Sequence, residues 1–251
     1  MMSGIYIQIL IALVTAHLVG DFVIQSREVS ENKHKWRVLL FHTLIIAGLS
    51  WLLCGLWSSW LIPAGVFVIH TLLDYIKSRY LRNTLSTFLI DQLLHILSLV
   101  VLALFVSHIS MGTIPAWSNL VGKEYWMFLV MASGFTAAVR MSGFIIQYAV
   151  SPFPDALNSE NQSDHHDPYK GLPNGGLWIG NLERALIMLL YLSGQGVGIG
   201  FLIAAKSILR YGEIKSDDDK MRAEYIIIGT LMSFCLGIFW AVLTGYIMAR
   251  V

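Results

Sequence analysis

Charged residues are scarce in this chain. Asp, Glu, Lys and Arg make up 13% of its 251 residues, whereas hydrophobic residues make up 56%. Soluble globular domains carry about 25% charged residues. The composition therefore excludes an ordinary soluble domain and is typical of a membrane protein.

Cysteine and excess positive charge are also lacking. The two cysteines, Cys54 and Cys235, lie in apolar runs and give neither a metal-binding spacing nor a disulfide framework. The net charge is +1, and there is no basic stripe of the kind that nucleic-acid-binding proteins use. We therefore expect membrane lipids as partners and no nucleic acid.

Long apolar runs take the place of charge, and each is long enough to form a membrane helix. At about 1.5 Å per residue, about 20 residues cross the hydrocarbon layer. The predicted spans are residues 4–24, 38–57, 61–76, 86–107, 124–149 and 224–249. The predicted fold class is all-α, a polytopic integral membrane helix bundle.

The segment 177–211 is apolar but has charged residues near both ends and glycines at its centre. A single span would place Lys206 and Arg210 on the outer face, against the positive-inside rule. A helical hairpin, either crossing or re-entrant, returns them to the inner face. Together with the six spans this gives about seven or eight membrane helices.

The same pattern predicts four regions. A four-helix membrane half covers residues 1–108, and a fifth membrane helix lies in 109–150. A polar cytoplasmic loop covers 151–176. The hairpin and the last helix occupy 177–251.

Positive charge is distributed unevenly among the loops, and this predicts orientation. The loops after the first and third spans hold seven Lys and Arg residues, whereas those after the second and fourth hold none before Lys123. Basic loops stay in the cytoplasm. The N-terminus is therefore expected outside.

Histidine and aspartate recur four residues apart in the apolar runs, a spacing that places both side chains on one helix face. An ionisable group at the centre of a membrane helix costs about 2.5–3.5 kcal/mol on insertion scales. The three pairs, and a further histidine on the second span, fall at one depth near the cytoplasmic boundary. The set is His17 and Asp21, His70 and Asp74, Asp91 and His95, and His42.

Imidazole nitrogens and carboxylate oxygens are ligands of zinc, manganese and non-haem iron. Seven such groups suffice for one or two divalent transition ions per chain. Asp74 and Asp91 are the expected catalytic carboxylates of such a site. A proton network and a purely structural set of polar residues remain open as alternatives.

A second set of charges lies in the C-terminal half. These residues either form salt bridges between helices or provide a cradle for a phosphate or lipid headgroup, since Arg suits bidentate phosphate contact. Arg184 is in addition a candidate catalytic residue. The predicted anion-binding set is Arg140, Arg184, Lys206 and Arg210.

The order of these motifs resembles a known family. His17-x-x-x-Asp21-Phe22-x-x-Gln25, His70-x-x-x-Asp74-x-x-Lys77 and Asp91-Gln92-x-x-His95 resemble a bacterial polytopic membrane family, the domain-of-unknown-function family 3307. Ile179-Gly180-x-Leu182-Glu183-Arg184 and Glu224-Tyr225 resemble the second half of its longer members. The resemblance implies a bacterial inner membrane protein and no particular activity.

These observations favour an inner-membrane enzyme with a cytoplasm-facing intramembrane metal site. The expected reaction is metal-dependent hydrolysis of a lipid-linked or phosphoryl substrate. A metal-ion or proton-coupled transporter would use the same groups, and a structural membrane protein is the third alternative. The outer half of every span is apolar, which favours the enzyme, because a carrier needs a path to both faces.

Overall fold

A computed structural model describes residues 2–110, 112–151, 175–211 and 220–251. Every regular element in these ranges is helical. The helices are α1 (Met2–Val19), α2 (Arg27–Glu31), α3 (Trp36–Cys54), α4 (Leu61–Tyr80), α5 (Leu85–Ile109), α6 (Ala116–Leu120), α7 (Lys123–Phe135), α8 (Ser142–Val150), α9 (Gly175–Leu192), α10 (Gly196–Tyr211) and α11 (Lys220–Met248). π-Helical turns at Gly20–Ile24 and Thr136–Met141 continue α1 and join α7 to α8.

Six stretches of helix are long and apolar enough to cross a membrane, and they match the predicted spans closely. They are Gly4–Ile24, Trp36–Cys54, Leu61–Tyr80, Leu85–Ile109, Lys123–Val150 and Glu224–Met248. The all-α polytopic fold class is thus confirmed. The predicted loop 151–176 lies almost wholly outside the described residues.

Polar and apolar side chains are arranged as a lipid solvent requires. Large apolar residues such as Phe41, Leu44 and Val101 are largely exposed along the spans, whereas His17 and His95 are almost fully buried. Hydrocarbon tails solvate the apolar exterior, and polar groups must find partners inside the bundle. This is the pattern of an integral membrane protein.

The chain divides into two compact units, Met1–Thr136 with Ile247–Val251, and Ala137–Tyr246. In the first unit α1 packs against α3 and α5, and α4 packs against the same two helices. These four helices form a closed ring, which we call the four-helix ring. Helix α7 packs against α1 from outside the ring.

The end of α1 approaches α3 unusually closely. Gly20 opens the π-helical turn, and a Cβ at this position would lie 2.6 Å from Cγ1 of Ile46. Only glycine allows this contact. π-Helical turns within α-helices occur frequently at functional sites, and this turn carries Asp21.

The half of the four-helix ring nearest the loop 55–60 is filled by an apolar core. This core includes Ile9, Ile46, Ile62 and Leu99 of the ring and Trp126 of α7. The close packing of these apolar side chains holds the helices together. The buried histidines and aspartates occupy the other half of the ring.

In the second unit, α9 and α10 form the predicted helical hairpin. The chain reverses at Gly194, whose φ of 75° lies in the left-handed region that glycine adopts without strain. Gly196, Gly198 and Gly200 belong to α10 and not to the turn. Gly198 instead permits close packing, because a Cβ there would lie 3.0 Å from Cδ2 of Leu190.

Candidate metal centre

The four helices of the ring each bring histidine or aspartate to one place. Helix α1 contributes His17 and its π-helical turn contributes Asp21; α3 contributes His42. Helix α4 contributes His70 and Asp74, and α5 contributes Asp91 and His95. All seven predicted ligands therefore lie together in the first unit, across sequence separations that only the packed ring can close.

Two imidazoles and two carboxylates form the centre of this cluster. Nε2 of His42 lies 3.1 Å from Oδ1 of Asp21 and 3.5 Å from Oδ2 of Asp74. Nε2 of His70 lies 3.4 Å from Oδ1 of Asp21 and 3.5 Å from Oδ2 of Asp74. Each nitrogen thus faces both oxygens at nearly equal distances.

Three of these four separations are those expected between ligands of one metal ion, and the fourth, at 3.1 Å, is slightly shorter. Bonds of about 2.0–2.2 Å from a metal to nitrogen or oxygen place tetrahedral ligands about 3.3–3.6 Å apart. Three of the four atoms, His42 Nε2, His70 Nε2 and Asp21 Oδ1, are buried without a hydrogen-bond partner in the described part of the chain. Close approach without hydrogen bonding is the arrangement that a bound cation satisfies.

A second group adjoins the first. Asp74, Asp91 and His95 each offer a ligand atom within 4.8 Å of the others, as do His17, Asp21 and His70. The ring centroids of His17 and His95 are 4.9 Å apart, and those of His70 and His95 are 4.5 Å apart. Asp74 belongs to two of the groups and would contribute a ligand to each if both held an ion.

Hydrogen bonds around the cluster fix which histidine nitrogens carry lone pairs. Nδ1 of His95 donates to the backbone carbonyl of Asp91 at 2.9 Å, so Nε2 is the lone-pair nitrogen. The amide nitrogen of Gln92 donates to Oδ2 of Asp91 at 3.0 Å, which turns Oε1 toward Nε2 of His17 at 3.2 Å. Nε2 of His17 must then donate, and Nδ1 carries the lone pair. Such partners orient metal-binding imidazoles.

Two lysines complete the site. Nζ of Lys33 donates to Oδ2 of Asp74 at 2.7 Å, and Nζ of Lys77 donates to Oδ2 of Asp91 at 2.6 Å. Burial acts to lower the pKa of Lys33, but the Asp74 and Asp21 carboxylates outweigh that effect and raise the pKa above its ordinary value. The Lys33 ammonium group is therefore charged at neutral pH.

From the sequence these lysines were expected only as basic residues of cytoplasmic loops. The sequence could have identified Lys77 as a site residue, since it lies three residues after Asp74 on the same helix and within the quoted motif. The sequence could not identify Lys33, because this residue contacts Asp74 across 41 residues. Gln92, expected beside the pairs, does bond to two members of the set.

The predicted anion-binding residues lie in the second unit. Arg184 is buried, and its guanidinium donates to Ser233 Oγ at 2.8 Å, Asn181 Oδ1 at 2.8 Å and the Val139 carbonyl at 3.0 Å. Lys206 pairs with Glu183 at 2.5 Å. These contacts match the alternative of charged pairs and hydrogen bonds that join helices.

Arg140 and Arg210 are the other two residues of that set. Arg140 is exposed in the π-helical turn Thr136–Met141. The side chain of Arg210 lies outside the described part of the chain. The anion-binding and catalytic roles of this set stay predictions.

The chemistry available at the centre follows from its donors. Neutral imidazole and carboxylate together select zinc, manganese or iron over calcium and magnesium. The described residues thus provide buried His/Asp groups that could hold a metal ion.

Residues 9–126 match the family model described as "Protein of unknown function (DUF3307)". The resemblance drawn from the motifs is confirmed there, and the segment contains the whole cluster with Lys33, Lys77 and Gln92. The motifs of the C-terminal half lie beyond it. Neither the curated proteins nor the solved structures provide a match to the chain.

Proposed function

We propose that the DUF3307 segment is a membrane-embedded, metal-dependent hydrolase. It holds one or two ions of zinc, manganese or iron. It acts from the cytoplasmic face of a bacterial inner membrane, with the N-terminus outside, on a phosphoryl or lipid-linked substrate. The convergence of two imidazoles and two carboxylates, with nitrogen-to-oxygen separations of 3.1–3.5 Å, carries this proposal.

The number of donors supports catalysis over a purely structural ion. A structural site is closed by four protein ligands, whereas a catalytic ion keeps a position for water. The four central donors would fill the shell of one ion, whereas only three of the seven donors are left for a second ion, which would keep a position for water. An ion in such a position lowers the pKa of bound water and generates a nucleophile at neutral pH.

The remaining groups of the centre suit proton transfer and positioning. Asp91 is held by Lys77 and Gln92 at the edge of the cluster, where it can accept a proton from an attacking water. Asp74, shared between the two groups of ligands, positions the ions relative to each other.

The apolar core fills the half of the ring away from the cluster, which supports a site that opens to one membrane face only. A carrier must expose its ions to both faces in turn, and a hydrated path past Ile9, Ile46 and Trp126 would break the close packing of that core. This packing supports the enzyme over the transporter.

The test is turnover by protein purified in detergent without chelators. Its metal content is measured by mass spectrometry, and phosphate release is followed with phosphatidate, polyprenyl phosphate and polyprenyl diphosphate in mixed micelles. We expect release that stops on metal stripping and resumes on adding the metal back. Asp91→Asn should abolish it, whereas Glu31→Gln, which alters an exposed carboxylate, should not.

Two results would overturn the proposal. One is wild-type protein that neither retains nor binds a transition ion. The other is flux of metal ions or protons into reconstituted vesicles that is lost in Asp74→Asn, which would establish the carrier instead.

A further inference from the structure

The charges of the centre do not balance once an ion is bound. Asp21, Asp74 and Asp91 supply three negative charges, and Lys33 and Lys77 supply two positive ones. With neutral histidines the set therefore carries one negative charge. One divalent ion changes this to one positive charge, and a second ion changes it to three.

A buried excess of positive charge at membrane depth requires a counter-charge. The described ring offers no fourth carboxylate to this cluster. An ion-loaded centre is therefore stabilised by an anion beside it, either hydroxide formed from bound water or a solute anion from outside the chain.

Lys33 competes directly with a metal ion. Oδ2 of Asp74 accepts from Lys33 at 2.7 Å, and this same oxygen lies 3.5 Å from Nε2 of both His42 and His70. An ion bound to this oxygen and to the imidazoles would lie close to the ammonium group and repel it. An anion placed between the ion and the lysine removes this repulsion.

Lys77 is placed where an outside anion can reach it. Its side chain is 30% exposed, whereas that of Asp91, to which it donates, is 4% exposed. The ammonium group also lies 5.6 Å from the centroid of the Phe88 ring, which holds the side chain over the cluster. Lys77 thus joins the buried cluster to the surface.

We propose that Lys33 and Lys77, together with the bound ion, form the binding site for the phosphoryl group of the substrate. In the ion-free protein the two lysines neutralise Asp74 and Asp91. In the loaded protein the ion would bind the Asp74 carboxylate, Lys77 would keep its bond to Asp91, and both ammonium groups would bind the anion. This assigns the anion-binding role to the four-helix ring, and it rests on the proposed metal site.

The first test measures binding of radiolabelled orthophosphate by equilibrium dialysis. Full-length protein is used with and without Mn²⁺ or Zn²⁺, whichever the wild type retains. Wild-type protein should bind orthophosphate only when loaded. Lys33→Gln and Lys77→Gln should each weaken binding about ten-fold or more, the loss of one charge-assisted hydrogen bond. Lys77→Arg should restore it, and Lys35→Gln, an exposed lysine two residues from Lys33, should match wild type.

The second readout is metal affinity, which separates ligand binding from structural damage. Removing a competing cation should leave metal affinity unchanged or raise it in Lys33→Gln. Loss of metal in this variant, orthophosphate binding without metal, or unchanged orthophosphate affinity in both glutamine variants would each overturn the proposal. Absence of metal in wild-type protein would instead overturn the metal site itself.

A parallel arm replaces orthophosphate with phosphatidate in mixed micelles. Tighter metal-dependent binding of phosphatidate than of orthophosphate identifies a lipid headgroup as the source of the phosphoryl group, and the reverse order identifies a soluble phosphate. Absence of metal-dependent binding of both anions overturns the proposal.

Discussion

At the scale of single residues, the cluster differs from ordinary buried polar side chains in what its atoms lack. A buried histidine or carboxylate normally has a hydrogen-bond partner. Here His42 Nε2, His70 Nε2 and Asp21 Oδ1 have no hydrogen-bond partner within the described chain. Asp21 Oδ1 nevertheless lies 3.1 Å from His42 Nε2 and 3.4 Å from His70 Nε2. Nitrogen and oxygen atoms that converge in this way could hold a metal ion.

Asp74, like His70, belongs to two of the three candidate ligand groups and in addition carries a negative charge, so Asp74→Asn should lower metal affinity most. Changing a neighbour of a metal ligand typically costs 10–100-fold, and we expect a loss of about 100-fold or more when a ligand itself loses its charge. Titration with a competing chromophoric chelator measures it.

Glu31→Gln is the matched control, because that carboxylate is exposed and pairs only with the exposed Arg27. Equal metal affinity in the Asp74 and Glu31 variants would remove Asp74 from the ligand set. A folded, monodisperse Asp74→Asn protein on size exclusion is required for the comparison.

Arg184 should be essential for stability in the second unit. Its guanidinium bonds to three groups, including Ser233 and Asn181, and Arg184→Ala would leave these buried acceptors unpaired. We expect a loss of about 3 kcal/mol in unfolding free energy, measured by denaturation in mixed micelles. Arg82→Ala, at an exposed arginine, should lose less than about 0.5 kcal/mol. Equal stability of the two variants would contradict this structural role.

At the scale of the helix, the π-helical turn Gly20–Ile24 connects packing with the site. It lets the end of α1 contact α3 at Ile46 while it carries Asp21 toward His42 and His70. The position of a ligand thus depends on a helix contact with no chemistry of its own.

Gly20→Ala should therefore weaken metal binding without changing any ligand. The new Cβ would overlap Cγ1 of Ile46 at 2.6 Å, so α1 must move and take Asp21 with it. We expect a loss of about ten-fold or more in metal affinity, since sites must be held to within about 0.5 Å. The chelator titration described for Asp74 measures it.

Two further variants identify the cause. Ile46→Ala in the Gly20→Ala background removes the overlapping atoms and should restore binding. Gly48→Ala adds a Cβ that meets no atom within 4 Å and should bind metal as wild type does. A defect in Gly20→Ala that Ile46→Ala leaves unchanged would refute the packing explanation.

At the scale of the whole molecule, orientation decides which face supplies substrate. The basic loops predict that the lysine side of the ring faces the cytoplasm. Single cysteines at Ser26 and Ser78, introduced after Cys54 and Cys235 are replaced, should resist an impermeant thiol reagent on intact cells. Cysteines at Ser58 and Ser118 should react. Permeabilised cells provide the control, in which Ser26 and Ser78 variants also react; labelling of these two on intact cells would reverse the orientation.

The sequence by itself determined the helices and the ligand candidates. Spans follow from apolar length, because a bilayer requires about 20 apolar residues whatever their neighbours are. The His and Asp pairs are recognised as ligand candidates because ionisable groups are costly in such spans and persist there only with partners. Both inferences depend on local composition, and the six helices long enough to cross a membrane bear out the first.

Only the tertiary structure decided how these groups are combined. The ring order, in which α1 and α4 each contact α3 and α5, brings Asp21 and Asp74 to the same two histidines. It also brings Lys33 onto Asp74 across 41 residues. Arg184, given an anion-binding role from its charge, has neutral partners in the second unit. Pairings between distant residues depend on which helix faces touch, and packing over the whole ring selects those faces.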